Sequence, residues 1–343
     1  MRKLIVLLLI FSITMIFSEL VCNAAESPKD YYKGERVVLV VPYTPGGGFD
    51  TYARVIAPFL SKEMGATIIV NNKPGGGGYR AANWMYLNAP RTGKTIGIMN
   101  GQTMVMNEVF GETRVARYKT LKEFSMIASW AGTELAVLIN TKHPYNSFDE
   151  MKGAKGLKAG ATDPLGTHAL SGAVTAEALN LQNFRLIVGY QSSNDLISNV
   201  FKGELDIFSS SYDTCKRYVD QNFAKVVGLL GKKSPLFPGA QTIADIDLTP
   251  EAKKWLEVMR DTRAILRLLV APPGVPEERI KFISDAFWRV LENKTFQKEL
   301  AKREMIFPGP GDYKETFKRI EKVLNLSEKD RKDFRFFVEK KYR

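Results

Sequence analysis

Residues 37–82 read VVLVVPYTPGGGFDTYARVIAPFLSKEMGATIIVNNKPGGGGYRAA. Two apolar runs, at 37–41 and 67–71, are each followed by a glycine cluster and then by a sequence with helical periodicity. In a parallel α/β sheet such loops lie side by side at the carboxyl ends of the strands, where backbone N–H groups and helix amino termini attract anions. The pattern predicts a small anion as the ligand.

The amino terminus has the pattern of a secretory signal peptide, which we place at residues 1–24. A short basic start is followed by the apolar stretch Leu4–Phe17 and then by small residues. This stretch is shorter than the roughly 20 residues that a membrane span needs. Cleavage after Ala24 or Ala25 is the prediction; the alternatives are an uncleaved anchor and a lipoprotein modified at Cys22. The mature protein is therefore expected in the periplasm.

The charge of the chain points away from nucleic acid. There are 49 Lys and Arg against 37 Asp and Glu, a formal net charge of +12, and removal of the signal peptide lowers it by one. Near the carboxyl terminus basic and acidic residues interleave, as on a solvated helix face, so no nucleic-acid partner is expected. Cys215 is the one cysteine of the mature sequence, which excludes an intramolecular disulfide. The mature chain, roughly 320 residues, is long enough for two lobes.

The hydrophobic pattern predicts alternating strands and helices, and hence a mostly parallel sheet. Breaks in the pattern near 135–141 and 262–270 are the places where the chain is expected to cross between lobes. Lobe 1 would comprise 36–135 plus 265–343, and lobe 2 would comprise 136–264. The predicted elements of the first series are strand Val37–Val41, helix Thr51–Met64, strand Thr67–Asn71, helix Tyr79–Leu87 and strand Thr95–Asn100.

The glycine clusters can also be interpreted as flexible turns without a ligand. Two clusters placed directly after apolar strands favour a ligand-facing role. Asp50 is expected to accept a backbone hydrogen bond at the start of the first helix. Gly76, Gly78 and Ala81 match a dinucleotide fingerprint, yet no acidic residue follows at the ribose position. No cofactor is therefore expected.

Catalytic chemistry is poorly supported by the sequence. His143 and His168 are the two histidines and have no nearby set of metal-binding residues, so no metal site is expected. No nucleophile elbow occurs, and serines near 192 and 210 lack an evident base. His168 follows a predicted strand-to-helix turn, where its side chain would either face a cleft or have a structural role at the helix terminus.

The segments VVPYTPGGGFDTYARVIAPFL and NNKPGGGG resemble the amino-terminal signature of the periplasmic substrate-binding proteins of tripartite tricarboxylate transporters, the Bug or TctC family. The resemblance implies an α/β fold like that of the type II periplasmic binding proteins, with two α/β lobes and a ligand cleft between them. It also implies ligand contacts from both lobes. Those carried over by position are Tyr43, Thr44, Gly46, Gly47, Gly76, Gln102, Gly166, Thr167, Tyr190 and Asp213.

This family implies a receptor, not an enzyme. The receptor would bind a small organic anion, of which a carboxylate is the expected kind, and deliver it as a monomer to the membrane subunits of a transporter. The alternatives are a secreted enzyme acting on an anionic metabolite and a sensory receptor. The sequence departs from the family pattern at Tyr190-Gln191-Ser192 and around Gly166-Thr167-His168, both of which belong to the second-lobe contacts.

Overall fold

The computed structural model describes residues 26–110, 115–130, 132–303, 305 and 313–342. The predicted signal peptide, including Cys22, lies outside these residues. Within them, the strands form two separate five-stranded sheets, each covered by its own helices. No described helix combines the length and the apolar character needed to cross a bilayer.

The first sheet has the order β2-β1-β3-β10-β4. Strand β1 is buried along most of its length, as expected for a strand covered on both faces. It pairs in parallel with β2 and β3, so their carboxyl ends lie at one edge. The strands are β1 (Arg36–Val41), β2 (Thr67–Asn72), β3 (Thr95–Asn100), β4 (Ser125–Trp130) and β10 (Arg267–Ala271).

The second sheet repeats this plan with the order β7-β6-β8-β5-β9. Its parallel strands β6, β7 and β8 again end at one edge, and each is followed by a helix or a helix-leading turn. The strands are β5 (Leu135–Ile139), β6 (Lys158–Ala161), β7 (Arg185–Val188), β8 (Ile207–Ser211) and β9 (Lys225–Leu229).

The helices that cover the first sheet are α1 (Pro28–Tyr32), α2 (Gly48–Met64), α3 (Tyr79–Leu87), α4 (Gly101–Phe110), α10 (Glu277–Glu292) and α11 (Lys294–Lys302). Those associated with the second sheet are α5 (Phe148–Met151), α6 (Thr167–Ala178), α7 (Ser193–Lys202), α8 (Tyr212–Asp220) and α9 (Pro250–Arg263). The chain ends in α12 (Tyr313–Leu324), α13 (Glu328–Arg335) and a π-helical turn, Phe336–Lys340.

Helix α2 shows why the sequence prediction of the first lobe succeeds. Its apolar residues recur at helical spacing and are buried against the sheet, and Gly65 ends it in the left-handed conformation that favours glycine. The predicted helix Thr51–Met64 begins three residues later than the observed one, because Gly47 supplies the amino-terminal cap without a side chain. Helix Tyr79–Leu87 and strand Thr95–Asn100 have the predicted bounds.

The prediction of a mostly parallel sheet is wrong in one respect. Strand β10 runs antiparallel to both β3 and β4, and β5 runs antiparallel to both β8 and β9. These are the strands that begin directly after the chain has passed from one sheet to the other, at 130–135 and 263–267. A strand that enters from the opposite side of a sheet runs against its neighbours, and hydrophobicity alone does not reveal that direction.

The carboxyl-terminal helices contact both halves of the molecule. Phe334 stacks on Phe110 of α4 with ring centroids 4.0 Å apart and meets Trp255 of α9 edge-on at 5.0 Å. The Leu186 amide in β7 donates to the Tyr342 carbonyl at 2.6 Å. The terminal segment therefore joins a helix of the first lobe to a helix and a strand of the second. The proposed division of the chain assigned these residues to lobe 1 alone, and their contacts run to both.

Replacing Phe334 with Ala is expected to lower the free energy of unfolding by about 3–5 kcal/mol, because Phe334 is fully buried between the two halves. Phe336→Ala is the matched control. This side chain, two residues away, is 57% exposed, so its removal should change stability by no more than about 0.5 kcal/mol. Urea unfolding of both variants measures the difference, and equal losses would show that the terminal segment does not contribute through packing.

Candidate functional site

A cleft lies between the two sheets and is lined by residues of both. Its walls come from the β1–α2 turn, the end of β3, the start of α6, the start of α7, the β8–α8 turn and the α9–β10 connection. The lining residues are Tyr43, Gly47, Gly48, Phe49, Asn100, Thr162, Thr167, His168, Ser192, Ser193, Ser210, Ser211, Thr214, Arg263, Leu266 and Arg267.

The first-lobe wall is fixed by Tyr43. Its hydroxyl donates to the Gly77 carbonyl at 3.1 Å and accepts from Asn100 Nδ2 at 2.8 Å, so one side chain ties together the ends of three strands. Burial raises its pKa well above the ordinary tyrosine value, and nearby Asp163 adds to the increase. The neutral hydroxyl holds the two glycine-rich loops in place.

Asp50 accepts a backbone hydrogen bond as the sequence predicts, but the predicted capping role is wrong: Gly47 caps α2, and Asp50 lies inside that helix and bonds the loop before it. It accepts from the Gly46 amide at 2.8 Å, from Arg54 Nε at 2.9 Å and from Asn72 Nδ2 at 2.9 Å. Burial acts to raise the pKa of Asp50, but these hydrogen bonds outweigh it and hold the pKa below its usual value. The Gly46 N–H is thus already used within the loop, whereas Gly47 and Gly48 at the start of α2 line the cleft.

The second-lobe wall begins at the amino terminus of α6. Gly166 is the cap residue and Thr167 is the first helical residue. His168 lines the cleft, which is the first of the two roles predicted for it. His168 Nε2 lies 3.2 Å from Ser193 Oγ. Burial, together with the charge of Arg263, lowers the His168 pKa to about 4, so the imidazole is neutral at physiological pH.

Two arginines in the cleft wall were missed by the sequence reasoning. Arg263 and Arg267 are 6% and 2% exposed, and they flank the turn that leads from α9 into β10. Burial, and then the proximity of Arg267, lowers the pKa of Arg263 to about 10, which leaves it charged at neutral pH. A signal was available: Arg267 interrupts the apolar run 264–271, and a charged residue within a buried strand needs a reason.

Among the direct contacts between the lobes around the cleft are the following three. Tyr52 Oη donates to Asp213 Oδ2 at 3.1 Å, and Thr167 Oγ1 donates to Gln102 Oε1 at 2.5 Å. At the third place the backbone of Gly77 passes so close to Asp163 that an added Cβ would lie 2.4 Å from the Asp163 Cβ. These contacts describe a closed arrangement of the two lobes.

Some of the ten predicted site residues line the cleft in the structure, and others do not. Tyr43, Gly47 and Thr167 line the cleft. Gln102 is fully buried and also donates to Thr262 at 3.0 Å, so it joins the lobes behind the cleft. The remaining predicted residues are not among those that line the cleft: Thr44, Gly46, Gly76, Gly166, Tyr190 and Asp213.

Metal and thiol chemistry have little basis in this region. Among the residues that the structure describes, no group of His, Cys, Asp and Glu side chains could hold a metal ion. Cys215 is buried, and burial raises its thiol pKa far above the ordinary value, which makes it inert. The arrangement suits reversible binding of a polar solute by hydroxyl groups, backbone N–H groups and guanidinium groups.

Comparison with known proteins agrees with this geometry. The model of the tripartite tricarboxylate transporter family receptor matches residues 52–327, and the chain therefore belongs to this family. BugT of Bordetella pertussis is 23% identical over 290 residues, which cover 79% of this chain and 81% of BugT. The chain is thus a solute receptor and not an enzyme, as the resemblance indicated.

Solved structures confirm the two-lobed fold. The periplasmic binding protein BugD superposes with a TM-score of 0.70 at 18% identity, covering 89% of this chain and 98% of BugD. A protein of R. palustris solved with adipate gives a TM-score of 0.71 at 18% identity, covering 89% of this chain and 97% of that one. The expected α/β fold with two lobes is therefore correct.

Gly77→Ala is expected to weaken ligand binding by hindering closure, because the new methyl group meets Asp163 of the opposite lobe. Gly65→Ala is the control: its φ of +66° is nearly that of Gly77, at +63°, but nothing lies within 4 Å of the added Cβ. Both changes carry a backbone strain of about 1 kcal/mol. Calorimetry should show an affinity loss in Gly77→Ala alone, and equal affinities would contradict closure at this contact.

Asp163 should make stability depend on pH. Burial raises its pKa to about 6, although Leu165 N–H, Thr162 Oγ1–H and Gly166 N–H partly offset the effect. The folded protein then holds the proton more tightly than the unfolded chain, whose carboxyl titrates near a pKa of about 4. The contribution of Asp163 is favourable below about pH 4 and is lost as pH rises through about 6.

Urea unfolding of the wild type and Asp163→Asn between about pH 4 and pH 7 measures this effect. The wild type should lose stability over that interval relative to the variant, which cannot ionise at this position. Asp50→Asn provides the opposite case when the series is extended below about pH 4, since the pKa of Asp50 is lowered and its contribution is lost only as pH falls through that range. Parallel profiles for the wild type and Asp163→Asn would contradict the assignment.

Proposed function

We propose that this receptor binds a small carboxylate in the cleft between its lobes. The observation that carries the proposal is the meeting of two helix amino termini there, one from each lobe. Helix α2 starts at Gly48 and helix α6 starts at Thr167, and both residues line the cleft. Each terminus presents unpaired N–H groups and the positive end of a helix dipole, so both favour an anion.

The rest of the lining supports the same ligand class. Hydroxyl groups from both lobes surround the space, and the side chains of Ser192, Ser193, Ser210 and Ser211 come from the second lobe alone. Hydroxyl groups can donate to carboxylate oxygens or accept from ligand hydroxyl groups. The R. palustris protein of similar fold was solved with adipate, which is a carboxylate.

Ligand capture in this proposal is a shift of population between open and closed lobes. A solute that contacts both lobes binds the closed form more tightly and so favours it. The contacts Tyr52–Asp213 and Gln102–Thr167 would form on closure and add a protein contribution that needs no ligand atom. Contacts within the protein thus favour the closed form, and contacts with the solute favour it further.

The setting of this function is inferred from sequence and family. We propose export through the signal peptide at residues 1–24, action as a monomer in the periplasm, and delivery of the solute to membrane subunits of a tripartite transporter. Support comes from the basic start and apolar stretch of the amino terminus and from the family description.

A ligand screen tests the proposal directly. Purified mature protein is mixed with acetate, lactate, malate, adipate, citrate and benzoate, and thermal unfolding is recorded. A ligand that binds only the folded state raises the unfolding temperature in a saturable way. We expect at least one acid to do so, with calorimetry giving one site per chain and no product formed. No binding by any acid would reject a carboxylate ligand, and turnover would point to an enzyme.

Gly47→Val is expected to abolish binding of that acid while the protein stays folded. An added Cβ at Gly47 meets only the Thr44 carbonyl, at an ordinary 3.6 Å, so local structure tolerates it. The larger branched side chain would occupy the cleft and keep the ligand from the backbone of α2. Gly47→Ala should have a smaller effect in the same direction. Unchanged affinity in folded Gly47→Val would place the ligand elsewhere.

A further inference from the structure

Arg267 lies in the cleft wall with hydrogen-bonding capacity that the protein does not use. Its side chain is 2% exposed, and neither Nε nor Nη1 has a hydrogen-bond partner. The guanidinium packs over the ring of Tyr52, 4.0 Å from the centroid, and beside Phe49 at 5.3 Å. These rings hold the group in place and favour its charge, but they accept no conventional hydrogen bond.

Arg263 provides a contrast within the same wall. Its Nη2 donates to the Thr133 carbonyl at 2.5 Å and to Ser211 Oγ at 3.1 Å, and its Nη1 reaches Thr167 Oγ1 at 3.5 Å. These acceptors belong to the connection between the lobes, to β8 and to α6. The protein thus supplies Arg263 with hydrogen-bond acceptors and leaves Arg267 Nε and Nη1 without them.

The location of Arg267 coincides with the start of α2. A Cβ built on Gly48 would lie 4.0 Å from Arg267 Nη2, so the guanidinium is beside the first residue of that helix. A buried donor without an acceptor costs about 1–3 kcal/mol, and more when it is charged. A buried donor without a protein acceptor is expected where a ligand supplies the acceptor. That ligand group must be favoured next to both the guanidinium charge and the positive end of the helix dipole.

We propose that Arg267 is the ion-pair partner of the ligand's carboxylate, and that Arg263 is a structural residue that ties the crossing at Thr133 to β8 and α6 of the second lobe. The inference rests on the proposed function and assigns a charge contact to one end of the cleft. Asp213, an acidic residue that contacts Tyr52 at this end, accepts hydrogen bonds from Tyr52, Thr133 and the Thr214 amide. These hydrogen bonds leave Arg267 available to the solute.

The lining away from Arg267 is neutral apart from Arg263. Asn100, Thr162 and the serines carry no charge, and His168 is neutral at physiological pH. The remainder of the ligand therefore meets hydrogen-bonding groups. Recognition by charge is concentrated at Arg267, so a neutral analogue of the acid should fail mainly there.

Methionine substitutions separate the two arginines. In Arg267→Met an apolar side chain of similar length replaces a charge without partners, so the ligand-free protein should unfold at the wild-type temperature or above it. In Arg263→Met the Thr133 carbonyl loses its donor, so the unfolding temperature should fall. Arg289→Met removes a 48% exposed charge on the far surface of lobe 1 and controls for the change in net charge.

Calorimetry with the tightest acid of the screen supplies the second measurement. Arg267→Met should weaken binding about a hundredfold or more, and Arg289→Met should leave it unchanged. Arg267→Lys keeps the charge without the planar fork and should restore part of the affinity. The primary amide of the same acid should bind the wild type about as weakly as the acid binds Arg267→Met.

Each result decides the assignment. Wild-type affinity in Arg267→Met, or equal wild-type affinity for acid and amide, would overturn it. So would a fall in the unfolding temperature of ligand-free Arg267→Met as large as that of Arg263→Met, or failure of Arg267→Met to fold, because either would make Arg267 structural. Absence of binding by any acid to the wild type would reject the proposed ligand class, while the comparison of ligand-free stabilities would still test Arg267.

Discussion

The backbone of the glycine-rich loop at 75–78 passes so close to Asp163 of the opposite lobe that no side chain fits between them. The consecutive positive φ angles of this loop are ones that residues with a side chain rarely adopt. The Gly77 carbonyl also receives the hydrogen bond that fixes Tyr43. The width of the cleft, the position of its first wall and the burial of Asp163 all follow from this approach.

Burial of polar groups is the second consequence of the close approach. Asp163, Asp213, Gln102, Arg263 and Arg267 all lose water where the lobes meet. A buried charge is tolerated when hydrogen bonds replace its hydration shell, and most of these groups have such bonds within the protein. The same low-dielectric surroundings that make an unsatisfied donor costly also strengthen its attraction for an incoming anion. The proposed role of Arg267 depends on this effect, because its buried donors lack acceptors in the protein and attract an anion strongly.

The carboxyl-terminal segment adds a constraint on how the lobes can move. Phe334 packs between α4 and α9, and Tyr342 bonds to β7, so the segment spans both halves. Opening of the cleft must keep these contacts or shift them as a unit. A hinge close to this packed cluster fits the positions of the two crossings, which connect β4 to β5 and α9 to β10.

The sequence by itself determined the alternating elements, the two glycine-rich turns and the backbone hydrogen bond that Asp50 accepts. These features depend on local causes: hydrophobic periodicity, glycine conformation and hydrogen bonds over four residues. The resemblance to the family, carried over by position, also indicated Tyr43, Gly47 and Thr167 as contacts, and these three line the cleft. The direction of β5 and β10 depends on the path between lobes, which no local pattern encodes.

Only the tertiary structure decided the chemistry of the cleft. Arg267 is separated from Tyr52 by more than half of the chain, and Gln102 and Asp213 took part in contacts between lobes that their sequence neighbours do not suggest. Whether an arginine is satisfied or lacks partners depends on acceptors that folding brings from distant segments. Local sequence specifies backbone conformation. Whether a buried charge lacks hydrogen-bond partners is determined only when the two lobes come together.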